Sequence, residues 1–70
     1  MDIKTFILTF DGMDNHLGDL ASEVKLDEDF PKTISPAKVR QYFEQRLDSL
    51  DKRWPTIDIA LGLYRNQFGE

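Results

Sequence analysis

Seventy residues without a cysteine exclude a disulfide scaffold and a thiolate metal site. They bound the chain to one domain, residues 1–70, near the lower size limit for unaided folding. Apolar residues at 40% and charged residues at 31% exclude a disordered chain, and a net charge of −4 argues against general affinity for nucleic acid.

The charge is uneven. Residues 1–30 carry eight acids and two bases, whereas residues 31–70 carry seven bases and five acids. Opposite net charge on the two halves suits two distinct faces and permits head-to-tail association between copies.

Ile3, Phe6, Ile7 and Phe10 recur at helical spacing, with Asp2 ahead of them as an N-cap. Gly12 follows, where a left-handed residue commonly ends a helix. The apolar run from Ile3 to Phe10 is too short to cross a membrane and has no basic start or cleavage site, so a cytoplasmic location is expected. Asp14 and Asn15 then cap a second helix, striped by Leu17, Leu20, Ala21 and Val24 with Asp19 and Glu23 on its other side. Asp27, Glu28 and Asp29 fall at the negative end of its dipole, which predicts fraying there.

The hinge follows at Phe30 and Pro31. The proline ring clashes with a helical preceding residue, so Phe30 is expected to be extended and to plug the space between helices. Ser35 is an N-cap and Pro36 occupies the first position of a third helix, where its missing N–H has no consequence. Its stripe, Val39, Tyr42, Phe43, Arg46, Leu47 and Leu50, predicts a helix reaching Leu50. Trp54-Pro55 reads as a break, after which Thr56 and Asp58 open a last helix with Ile57, Ala60, Leu61, Tyr64 and Phe68 on its apolar face. Gly62 in that helix would permit a close approach. The expected fold is all-α, a small four-helix bundle. Its expected core is Phe6, Phe10, Leu20, Val24, Phe30, Val39, Phe43, Leu47, Ile57, Leu61 and Tyr64.

Thr5-Phe6 with Phe10, Leu20-Ala21, Phe30-Pro31-Lys32-Thr33, Val39 ahead of Tyr42-Phe43-Glu44, and Thr56-Ile57-Asp58 with Tyr64 occur here in order. Together they resemble the YozE-like family of small Gram-positive bacterial proteins, whose helical fold is sterile-alpha-motif-like (SAM-like). Of these pieces the Phe-Pro-Lys-Thr segment is the distinctive one. The chain departs from the family at Leu61, where an aromatic is usual, and at Ile59, where a Glu is frequent. The segment after Thr33 is also one residue shorter, and Trp54-Pro55 is not a family feature. The resemblance implies a divergent member with a SAM-like bundle and carries over no catalytic residue.

The inventory for chemistry is thin. His16 is the single histidine, short of the ligands a zinc site needs, and is expected in a solvated loop. A calcium loop starting at Asp11 fails because Met13, His16 and Ser22 fall at its ligand, glycine and bidentate-acid positions. Asp27 to Asp29 read as a solvated charge run, since neighbouring acids on a helix end do not converge in a pocket. Ser22, Ser35 and Ser49 lack a second histidine as base, and no glycine-rich phosphate loop occurs. No catalytic residue, metal, cofactor or small-molecule substrate is therefore expected, and the chain reads as non-enzymatic.

Interaction is the remaining class. Lys32, Lys38, Arg40, Lys52, Arg53 and Trp54 form the candidate set around the third helix. On one face they would grip phosphates with Trp54 or Tyr42 stacking on a base, which makes a nucleic-acid accessory protein the alternative. The first reading is a protein-interaction module whose partner is this chain itself or another protein, since a small core gains stability from docking. Leu63 and Trp54 fall off the core stripes and would seed an exposed contact, unless the neighbouring loop covers them.

Overall fold

The computed structural model describes residues 1–69. It holds α1 (Ile3–Leu8), α2 (His16–Leu26), α3 (Pro36–Glu44) and α4 (Trp54–Phe68), with no strand among the described residues. The Asp2 carboxylate accepts from the Thr5 N–H at 2.8 Å and starts α1. This helix stops before Phe10. The Thr9 hydroxyl and N–H both turn back to the Phe6 carbonyl, the tighter turn continues through Phe10, and Gly12 lies at φ +90°.

Asn15 caps α2, its side chain accepting from the Gly18 N–H at 2.9 Å. His16 is therefore the first residue of that helix rather than a loop residue, although it is exposed. A Cβ built on Gly18 would fall 1.9 Å from the Met13 carbonyl oxygen, so the loop before α2 packs directly on its backbone. Gly62, where a close approach was expected, has nothing within 4 Å of its Cβ position and lies exposed.

Beyond α2, the chain turns at Asp27 and buries Phe30, whose ring meets Tyr42 and Phe43 with centroids 5.4 and 5.7 Å away. The hinge also holds α1, because the Ile3 N–H donates to the Thr33 carbonyl at 2.9 Å.

Ser35 and Pro36 begin α3 as the sequence implies. The helix ends at Glu44, short of Leu50, and Leu50 is 90% exposed. Asp48 accepts from the Leu50 N–H and Asp51 from the Arg53 N–H, so short acidic side chains take donors that a continuing helix would use. In turn α4 begins at Trp54, ahead of Thr56. Pro55 belongs to its first turn, where an N–H has no intrahelical partner and proline opens a helix instead of breaking it.

The core unites all four helices and the hinge. Ile3, Phe6, Ile7, Leu20, Ala21, Val24, Phe30, Val39, Ile57, Ala60, Leu61 and Tyr64 are buried. Ile3, Ile7, Ala21 and Ala60 thus join the expected set, while Phe10, Phe43 and Leu47 are only partly buried at its edge. The Tyr64 hydroxyl donates to the Met1 carbonyl at 2.5 Å and keeps the start of the chain on α4.

Candidate interaction surface

Two of the six candidate side chains are tied into ion pairs. Arg53 donates to Asp51 at 2.9 and 2.8 Å and to Glu23 of α2 at 2.6 Å, which clamps the start of α4 to α2. The hydrogen bond from the Arg53 side chain, helped by its N–H, pulls the Asp51 carboxyl down to about 2. The same bonds to Asp51 and Glu23 raise the Arg53 pKa, so it stays protonated. Arg40 of α3 pairs with Asp58 of α4, lies 3.8 Å from Glu44, and places its guanidinium 5.0 Å over the Trp54 ring.

Trp54 is half-buried. Its indole N–H donates to the Asp48 carbonyl at 2.8 Å, and its ring stands edge-on to Phe43. The loop covers it. Lys32 on the hinge, Lys38 on the first turn of α3 and Lys52 before α4 are exposed, and none of the three forms an ion pair among the described residues. A cleft of about 750 Å³ lies between α2 and the start of α4, lined by His16, Glu23, Asp51, Lys52 and Arg53. Acids there already engage the arginine.

Sequence reasoning missed the polar role of Tyr42. Its hydroxyl donates to Asp27 at 2.5 Å, while Arg46 covers the ring at 3.8 Å from its centroid. That hydrogen bond lowers the Asp27 pKa, and burial followed by the bond to Asp27 raises that of Tyr42. The acidic end of α2 is thus joined to α3. Among the described residues no cluster of acids and histidine could hold a metal ion, and no helix is long and apolar enough to cross a membrane.

The free surface of a different kind is on α4. At 100° per residue, Ile59 and Leu63 point away from the buried Leu61. They are 56% and 41% exposed, with Pro55, Gly62 and Asn66 on the same side. In the fifteen residues of α4 the only charges are Asp58 and Arg65. Leu63 also borders a shallow depression of about 320 Å³ with Met1, Phe6, Phe10 and Phe68, which extends the apolar surface onto α1. The scarcity of charge in this helix adds to the sequence signal already given by Leu63, which falls off the core stripe.

Four short helices on one apolar core, closed by a buried hinge phenylalanine, define a small all-α SAM-like domain. The family model described as YozE SAM-like fold matches residues 5–66, and the chain belongs to that family. No curated protein and no solved structure gives a significant match.

Proposed function

We propose that this domain is a protein-interaction module that binds through the outward face of α4. The observation that carries this reading is the uncharged surface of Ile59, Gly62 and Leu63 in a chain with 31% charged residues. A helix apolar on both sides is normally covered on both sides. The alternative, nucleic-acid binding around α3, loses support from the acids that occupy Arg40 and Arg53. The domain is read as non-enzymatic because its sequence pairs no nucleophile with a base, His16 being the single histidine and cysteine being absent.

The test is a tagged capture from nuclease-treated cell lysate, comparing the natural chain with an Ile59→Lys/Leu63→Lys double variant. Proteins retained by the first and lost by the second support the reading. Identical capture by both, or recovery only while nucleic acid is intact, overturns it.

A further inference from the structure

The charges that border the apolar face of α4 carry information about what covers it. Asp58 and Arg65 are seven residues apart, which is two turns and roughly 10 Å along the axis. Both lie on one edge of the exposed strip, the edge toward α3, since Arg40 reaches Asp58 from there. Arg65 has no ion-pair partner among the described residues, and Arg40 engages only one oxygen of Asp58.

Two antiparallel helices related by a twofold axis normal to their common plane keep the same edge on the same side. If they cross midway between residues 58 and 65, Asp58 of each copy meets Arg65 of the other. The same centre sets Ile59 against Leu63 in both directions. It also brings Gly62 of both copies to the crossing, where a missing side chain shortens the interaxial distance. Gly62 has no use inside its own chain, because its Cβ would touch nothing.

We infer that the outward face of α4 is covered by a second copy of this chain, packed antiparallel about Gly62, with reciprocal Asp58–Arg65 pairs at its edge. This rests on the interaction reading above and names its partner. The juxtaposition is self-complementary in shape and in charge, which a face evolved for an unrelated partner has no reason to be.

Sedimentation equilibrium of the purified chain from about 10 μM to about 1 mM tests it. The natural chain should dimerise. Arg65→Asp should weaken association by roughly tenfold or more. Because the chain has no cysteine, Gly62→Cys supplies an independent readout. It should oxidise to a linked dimer far faster than Ser22→Cys, an exposed control on α2. A natural chain monomeric up to the highest concentration, an Arg65→Asp variant as dimeric as the natural chain, or equal cross-linking at both cysteines overturns the inference. A monomer whose lysate capture is still lost on changing Ile59 and Leu63 removes the second copy alone and leaves the interaction reading standing.

Discussion

Gly18 and the Met13 carbonyl oxygen are in backbone contact, with no room for a Cβ that would lie 1.9 Å from that oxygen. Alanine is the better helix former by about 1 kcal/mol, and here that advantage is outweighed. Gly18→Ala should lower stability by about 2–3 kcal/mol, the scale of an overpacked site, because the obstructing atom is backbone. Urea denaturation followed by circular dichroism measures it, and an unchanged midpoint would refute the contact.

Gly62 gives the opposite expectation. It is exposed, helical and open on the Cβ side, so Gly62→Ala should stabilise the isolated domain by about 0.5–1 kcal/mol. The comparison belongs at micromolar protein, where association contributes least. A loss of stability there would mean that Gly62 has an intrachain role.

Phe30 is 3% exposed and contacts two aromatic rings of α3. Phe30→Ala should cost about 3–5 kcal/mol, enough to unfold much of a population this marginal. Phe30→Leu retains most of the volume and should remain folded. A loss below about 1 kcal/mol for the alanine variant would show that the ring is not the plug.

Elements built on local chemistry could be read from the chain, and elements decided by tertiary competition could not. The Asp2, Asn15 and Ser35 caps and the Phe30-Pro31 turn each follow from one or two residues. The end of α3 does not. Leu47 and Leu50 continue the helical period, but the chain tightens at Arg46, and Asp48 and Asp51 then take N–H groups that a longer helix would use. Pro55 misled because proline breaks a helix interior but begins a helix well, and its position depends on where Arg53 is clamped. The basic candidates were readable as residues, but their acids come from elsewhere. Glu23 reaches Arg53 across 30 positions and Asp58 reaches Arg40 across 18. On the outer face of α4, Leu63 was legible as lying off the core stripe, whereas Ile59 and Gly62 join it as one surface only once the inner stripe is buried.

Acid should weaken the fold through particular carboxylates. Asp51 lies at about 2 and Asp27 and Asp2 lie below their ordinary 3.8, held by bonds from Arg53, Tyr42 and the Thr5 N–H respectively. Each is depressed in the folded state, so its contribution is complete above the unfolded value and is lost as pH falls from about 4 toward 2. Tyr42 runs the other way. Its raised pKa contributes below pH 10 and is lost as the phenol ionises above it. Urea midpoints against pH should therefore fall at both extremes. Asp51→Asn should flatten the acid limb and Tyr42→Phe the alkaline one, and parallel curves for natural and variant chains would contradict these assignments.

Six residues are too few for a helix to persist alone in water, so α1 exists by virtue of its surroundings. The hinge holds its first N–H through Thr33, α4 holds the residue before its cap through Tyr64, and Ile3 and Ile7 are sealed in the core. Sequence-distant segments therefore meet on the least autonomous helix. Amide hydrogens of α1 should exchange with solvent only when the whole chain opens, at the rate of the slowest amides in α4. The domain has no stable half to retreat to, and an injury at the hinge is felt at once by both ends of the chain.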